Sequence, residues 1–103
     1  MLTDKAKEKF EEWYYGKYLS EKIVKYENVG EFFESLHLIF QQALIVEWLD
    51  SIGFHIGRDM VDNYWLENST FYERLGLDGY DYIPTIKTLS EAIEKANNLI
   101  NLK

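Results

Sequence analysis

The sequence predicts an α+β fold, with helices at the N-terminus and centre, a small antiparallel sheet, and a C-terminal amphipathic helix. Two changes in hydrophobic period indicate this order. Apolar residues recur at helical spacing up to Gly53, alternate with polar residues from Phe54 onward, and return to helical spacing after Thr88. The strands are joined by connections too short for the crossover that parallel pairing needs. The 103 residues fit a single domain, 1–103.

The N-terminal part is predicted to be helical. Thr3 is a suitable N-cap for the first helix, and Gly16 is expected to weaken or end it. The apolar stripe of this helix consists of Ala6, Phe10, Trp13, Tyr14 and Tyr18. Ser20–Asn28 fits a short helix or a short strand, and the helix is favoured. Glu31–Ser35 is predicted to form a further turn of helix.

A long central helix is predicted to begin at Leu36 or Leu38 and to end at Ser51, with Gly53 as its stop signal. Its apolar residues cover more than one face. Because a helix of that kind is usually covered on several sides, the pattern predicts a central helix contacted from two sides.

The residues after the central helix alternate as strands do. Phe54–Gly57 and Tyr64–Glu67 each place every second side chain on one face of a sheet, with a turn at Asp62-Asn63. In this pattern His55 is a surface strand position. Asn68-Ser69 is a second turn signal, and Thr70–Leu75 fits a third strand or an irregular edge.

A last strand and a last helix close the chain. The strand is predicted over Tyr80–Ile86, and Pro84 would confine it to a sheet edge or a strand end. Thr88 and Glu91 then form a capping box that begins the C-terminal helix. The apolar stripe of this helix consists of Leu89, Ala92, Ile93, Ala96, Leu99 and Ile100.

The chain is acidic, and its negative charge is concentrated in the middle. The net charge is −7, and Glu31–Ile83 alone contains ten acidic residues against Arg58 and Arg74, a net −8. Such a field repels nucleic acid and attracts basic protein surfaces, although solubility alone would also account for it. There is no cysteine, which excludes disulfides and thiolate metal sites and suits a reducing cytoplasm. No segment is apolar enough to suggest a membrane span.

No motif for catalysis or for cofactor or metal binding is present. His37 and His55 are the only histidines, and Asp59 with Asp62, like Asp78 with Asp81, lacks the spacing of a calcium loop. We therefore expect no cofactor, no metal site and no enzymatic activity. An enzyme would need a pocket that perturbs a carboxyl group, such as Glu47 or Asp50 on the central helix.

Several segments resemble one family. They are Lys9–Tyr14, Ser35–Leu38 with Gln41, Glu47–Ile56, Lys87-Thr88 and Ala92–Asn97. Together they are similar to small proteins of Bacteroidetes phages and prophages that share a Trp-x-Asp-Ser-Val/Ile-Gly helix-to-strand motif. The likeness covers about two thirds of the chain and departs from the family at His37, where proline is usual, and throughout Met60–Tyr82. It implies a shared fold, an origin in a mobile element and a location in the host bacterial cytoplasm; the family has no established activity.

The middle of the chain is the candidate partner-binding region, because aromatic and acidic residues are interleaved there. The predicted site consists of Asp59, Asp62, Trp65, Glu67, Tyr72, Glu73, Asp78, Tyr80 and Asp81. Rings beside carboxylates suit recognition of a basic protein surface. With the phage resemblance, this predicts an inhibitor or nucleic-acid-mimicking decoy of a host defence nuclease, anti-CRISPR-like in its action.

A homo-oligomeric structural or accessory module of a phage or bacterial complex is the alternative function. It would pair through the strand Tyr80–Ile86 or through the Trp13 face of the first helix.

Overall fold

The computed structural model describes residues 1–19, 25–68 and 81–102, with Asp81 described by its backbone alone. In chain order the elements are α1 (Asp4–Tyr14), a π-helical turn (Tyr15–Leu19), a 3₁₀ turn (Tyr26–Asn28), α2 (Val29–Glu34), α3 (Leu38–Ser51), β1 (Phe54–Arg58), β2 (Tyr64–Asn68), β3 (Asp81–Ile86) and α4 (Leu89–Asn101). The predicted α+β fold is confirmed. In the described part of the chain, no helix is both long enough and apolar enough to cross a bilayer.

The three strands form an antiparallel sheet in the order β1-β2-β3. Register between β2 and β3 shifts by one residue, because Tyr64 pairs with Ile86 whereas Leu66 pairs with Ile83. The extra residue follows Pro84, and Thr85 has the positive φ of 62° that such a bulge can require. As predicted, Pro84 lies in an edge strand. The turn predicted at Asn68-Ser69 was wrong for its first residue, because Asn68 is the buried last residue of β2.

Helices cover one face of the sheet, where the core lies. α3 packs on β1, α4 packs on β2 and β3, and α1 packs on both helices. Phe10 of α1 lies at the centre of the aromatic contacts. Its ring centroid is 4.8 Å from that of Phe33 and 5.7 Å from that of Trp48, both in edge-on geometry. Large rings in these arrangements bury much apolar area for a short chain.

α3 has the predicted length and is packed on β1, α1 and α4, but its first turn is not covered by the described elements. It begins at Leu38 and ends at Ser51, and Gly53, with φ 95°, turns the chain into β1. Its core contacts lie towards its C-terminal half. Its first turn is largely exposed; Leu38, Ile39 and Phe40 are 54%, 68% and 63% accessible. The predicted contact of α3 from more than one side is confirmed by its packing on β1, α1 and α4, and the described elements leave only this first turn largely exposed.

Amide side chains of α4 hold the start of α1. Thr3 occupies the N-cap position, but its hydroxyl makes no capping hydrogen bond, contrary to the prediction. Instead Oδ1 of Asn101 accepts from the backbone N–H of Ala6 at 2.9 Å, and Nδ2 of Asn101 donates to the carbonyl of Thr3 at 3.0 Å. Oδ1 of the buried Asn97 accepts from the N–H of Thr3 at 2.8 Å. The helix is thus capped from the opposite end of the chain.

The remaining local predictions have mixed outcomes. The capping hydroxyl of Thr88 accepts from the N–H of Glu91 at 3.1 Å, as predicted. The regular part of α1 ends before Gly16, as predicted, and Gly16 lies in the π-helical turn that follows. Tyr18, which was predicted to belong to the apolar stripe of this helix, is 40% exposed. In the segment Ser20–Asn28, which was predicted to be a helix or a strand, Tyr26–Asn28 forms a 3₁₀ turn and residues 20–24 lie outside the described residues. The possible third strand over residues 70–75 also lies outside them.

Replacing Asn101 by alanine should destabilise the fold by about 1–2 kcal/mol, because one helix cap is lost and a partly buried N–H loses its acceptor. Urea unfolding followed by circular dichroism measures the change. Asn98→Ala on the same helix is the control. Asn98 is exposed, and its side chain accepts a long hydrogen bond of 3.4 Å from Nδ2 of Asn97, so its loss should stay within about 0.5 kcal/mol. Equal stability of the two variants would show that Asn101 does not cap α1.

Candidate functional site

The sheet face opposite the helices is the candidate site, and we call it the outer face. It consists of His55 and Gly57 of β1, Trp65 and Glu67 of β2, and Tyr82 of β3. The register fixes this set, because His55 pairs with Glu67, Glu67 with Tyr82, and Gly57 with Trp65. Side chains on paired residues of neighbouring strands project from the same face. The outer face therefore has two rings, a carboxylate and an imidazole.

Trp65 lies across β1, on the position that lacks a side chain. A Cβ placed on Gly57 would overlap the six-membered ring of this indole. On its other side, the Trp65 ring centroid is 6.1 Å from that of Tyr82, with the ring planes inclined by 37°. Tyr82 is 50% exposed. Because Gly57 leaves space on one side and Tyr82 borders the other, the indole is held on the sheet surface.

Polar groups lie at the β1 edge of the outer face. Nδ1 of His55 contacts the carboxylate of Asp50 at the end of α3. The two side chains are 37% and 67% exposed. His55 is thus a surface strand residue, as predicted, and it places the Asp50 carboxylate near the cross-strand position of Glu67. The carboxyl group of Asp50 therefore lies at this edge, and that of Glu67 lies on the neighbouring central strand.

Two predicted site residues lie at the turn between β1 and β2 and have local functions there. Oδ1 of Asp59 accepts from the N–H groups of Val61 and Asn63, each at 2.9 Å. These bonds close an aspartate turn. Asp62 has φ 62°, which its short polar side chain tolerates, and its Oδ1 lies 3.5 Å from Nη2 of Arg58. Asp59 therefore stabilises the turn, and Asp62 lies beside the positive charge of Arg58.

The structure brings together part of the predicted site. Trp65 and Glu67 share the outer face, while Asp59 and Asp62 lie at its end rather than on it. The backbone of Asp81 pairs with Asn68. Four predicted residues lie outside the described residues: Tyr72, Glu73, Asp78 and Tyr80.

Sequence reasoning missed two members of the outer face. Gly57 and Tyr82 were not predicted as site residues, although Gly57 opposite a tryptophan in two alternating strands was a usable signal. A glycine inside a strand indicates that another group approaches closely. Tyr82 could not be assigned, because the bulge at Pro84-Thr85 shifts the register on which its position depends.

Glu47, considered above as a carboxyl that an enzyme might perturb, is held ionised. Nζ of Lys17 is 2.7 Å from Oε1, and the Tyr18 hydroxyl, 2.8 and 2.7 Å from the two carboxylate oxygens, donates its single proton to this carboxylate. The hydrogen bond from Lys17, followed by that from Tyr18, lowers the pKa of Glu47. An acid catalyst at neutral pH needs a carboxyl pKa raised instead. Within the described ranges, no three histidine, aspartate or glutamate side chains are grouped to hold a metal ion.

Gly57→Ala should unfold at lower urea concentration, with a loss of about 1–3 kcal/mol, because the added methyl displaces the Trp65 ring. The control is the same change in a Trp65→Ala background, where the methyl has space and the loss should be small. The double-mutant cycle isolates the contact between the two positions. Equal losses in both backgrounds would mean that Trp65 does not lie on Gly57.

Glu47→Gln should lower the free energy of unfolding at neutral pH, and the difference from the unmodified protein should become smaller as the pH is lowered. Because the pKa of Glu47 is lower in the folded protein than its ordinary 4.5, its contribution is complete above that value and is lost as pH falls through the folded pKa. Urea unfolding of both proteins from neutral pH to below 4.5 measures the difference. In a Lys17→Met background the pH dependence of this difference should decrease. A difference independent of pH would contradict the proposed network.

Comparison of the chain with protein-family models, with curated proteins and with solved structures gave no match. The phage resemblance stays a prediction. A function for the outer face is therefore argued from its residues and their geometry.

Proposed function

We propose that this chain is a non-catalytic protein-binding domain that docks a basic protein surface on the outer face of its sheet. The observation that carries the proposal is the adjacent pair of rings, Trp65 and Tyr82, with Glu67 beside them on a sheet backed by helices. Tryptophan and tyrosine dominate binding energy at protein interfaces because they bury large apolar area and retain one polar group.

The rigidity of the outer face supports this function. Trp65 lies on Gly57, and its strand, β2, is the central one, paired with β1 on one side and with β3 on the other. A side chain that is already ordered loses little conformational entropy on binding, so more of its contact energy contributes to affinity.

The negative charge of the chain indicates that its partner is a basic protein. The net charge of −7 favours encounter with surfaces rich in lysine and arginine, and Glu67 and Asp50 supply carboxylates at the face itself. The finer proposal is an inhibitor that occupies the nucleic-acid groove of a host nuclease. The acidic surplus and the phage resemblance support it. Phosphate mimicry has a smaller part in it than the rings, because Asp59 closes a turn and Asp62 lies beside Arg58.

The alternative, a self-assembling module, has less support. β3 is an edge strand, but the Pro84-Thr85 bulge interrupts the regular backbone that edge-to-edge pairing needs. Trp13 is partly buried, with its ring 5.9 Å from Phe10 and 5.8 Å from Tyr18, so the α1 face offers less apolar surface than the sequence suggests.

Capture from a bacterial lysate at increasing salt should recover a partner rich in lysine and arginine that elutes as salt screens the charges. With that partner purified, Tyr82→Ala and Trp65→Ala should each weaken binding about tenfold or more, a change of at least about 1.4 kcal/mol. Tyr26→Ala removes a similarly exposed tyrosine, 47% accessible, and is the matched control.

Nuclease activity and salt dependence then distinguish binding of a basic protein surface from the finer proposal of a nuclease inhibitor that mimics nucleic acid. If the partner is a nuclease, neutralising Asp62 and Glu67 together, which leaves the turn bonds of Asp59 in place, should reduce inhibition and flatten the dependence on salt. Inhibition that persists after neutralisation would remove the decoy. Binding that is unchanged by both ring variants would remove the outer face as the site.

A further inference from the structure

The geometry of the two rings on the outer face restricts which group of a partner binds there. The ring centroids of Trp65 and Tyr82 are 6.1 Å apart, and the ring planes are inclined by 37°. A flat group inserted between two rings needs about 7 Å between them, because each of its two contacts takes about 3.5 Å. A ligand group therefore lies over the ring pair, on the side away from the sheet, rather than between the two rings.

A carboxylate borders this ring pair on the same face. Glu67 pairs with Tyr82 across the strands and is two residues from Trp65 along β2. Directly paired residues have Cβ atoms about 5 Å apart, and alternate residues of one strand are about 7 Å apart. The carboxylate of Glu67 is therefore within side-chain reach of a group that lies over either ring.

Glu67 differs from the other carboxylates of the sheet region in having no cation beside it. Among the described residues, no lysine or arginine lies within ion-pair distance of its carboxylate, whereas Asp50 contacts His55 and Asp62 lies beside Arg58. Its negative charge is thus left for a cation of the partner. A cation that lies over the rings would meet both the carboxylate and the negative faces of the aromatic systems.

Arginine combines these two contacts better than lysine does. The guanidinium group is planar and weakly hydrated, so it stacks on an aromatic ring while the N–H groups at its edge donate to a carboxylate. The ammonium group of lysine is compact and strongly hydrated, and it has no flat face to lay on a ring. A surface with two exposed rings and one carboxylate therefore favours arginine over a lysine of the same charge.

The fold already contains one arginine in an arrangement of this kind. Cζ of Arg58 lies 5.3 Å from the ring centroid of Tyr64, and Nη2 of the same guanidinium is 3.5 Å from Oδ1 of Asp62. Ring, guanidinium and carboxylate are thus combined within the chain at the end of β1. On the outer face the ring and the carboxylate are present, and the guanidinium would come from the partner.

We infer that the partner is anchored on the outer face by an arginine side chain, whose guanidinium lies over Tyr82 and Trp65 and donates to Glu67. The inference rests on the proposed function, because it names the group by which a basic protein is recognised at that same face. Arginine is enriched at protein interfaces and is frequent among the residues that dominate binding energy.

Nuclear magnetic resonance of the intact, isotope-labelled protein tests the inference. The probes are two short capped peptides of equal charge, one of repeated Gly-Ser-Arg and the other of repeated Gly-Ser-Lys. The indole N–H resonance of Trp65, identified by its absence from Trp65→Ala, reports on the ring pair. The arginine peptide should shift this resonance and bind at least about threefold more tightly than the lysine peptide.

A matched pair of charge variants locates the carboxylate. Glu67→Gln should weaken the arginine peptide at least about threefold, because the guanidinium loses a charged acceptor. Glu94→Gln removes the same charge from an exposed position of α4, on the helical side of the sheet, and should have less than half that effect. General attraction to an acidic protein would instead weaken both variants equally.

Two substitutions of Tyr82 separate the aromatic ring from apolar area. Tyr82→Leu keeps an apolar side chain but removes the ring, and it should weaken the arginine peptide at least about threefold. Tyr82→Phe keeps the ring and should bind as the unmodified protein does. Circular dichroism checks that each variant is folded, which the 50% exposure of Tyr82 favours.

Three outcomes overturn the arginine anchor. They are equal binding of the two peptides, equal losses in Glu67→Gln and Glu94→Gln, and an unshifted Trp65 resonance at the highest soluble concentration of the arginine peptide. If Trp65→Ala and Tyr82→Ala still weaken the captured partner, docking on the outer face stands and the arginine anchor alone is wrong. If neither ring variant weakens that partner, the proposed function fails as well.

Discussion

Helices α3 and α4 pack on one face of a three-stranded sheet, and the arrangement of every candidate surface depends on this one-sided packing. A sheet of this size has one face that must be buried to form a core and a second face that can carry other residues. Phe54, Leu66 and Ile86 fill the buried face. Trp65, Glu67 and Tyr82 follow on the opposite face because side chains alternate along each strand.

The two ends of the chain stabilise this packing together. Asn97 and Asn101 of α4 bond the backbone around Thr3, across 94 to 98 positions of sequence. α1 is thereby held against α4, and Phe10 is positioned among Phe33 and Trp48. Long-range bonds of this kind replace the local cap that a serine or threonine usually supplies.

Several carboxylates of this acidic chain already have partners within the fold. Asp59 closes a turn, Asp62 lies beside Arg58, and Glu47 binds Lys17 and Tyr18. Each of these carboxylates already has a hydrogen-bonded or charged partner within the chain, so the net charge overstates the acidity available to a partner protein. Glu67 remains beside the rings of the outer face. That face therefore combines apolar contact with modest charge, the combination found at protein interfaces.

The sequence alone determined the types and most bounds of the elements, because the relevant forces are local. Helical spacing and the Thr88 cap define α4, Gly53 ends α3, and alternation defines β1 and β2. The positions of Trp65 and Glu67 on one face also followed from alternation.

Only the tertiary structure decided which apolar residues are covered and which polar side chains have structural functions. Capping of α1 by Asn101, the indole of Trp65 on Gly57 and the exposure of Phe40 depend on contacts between distant segments. Such contacts are set by sheet register and helix packing, which hydrophobic periodicity does not encode. The bulge at Pro84-Thr85 is an example, since one inserted residue places Ile86, the last residue of β3, on the buried face of the sheet.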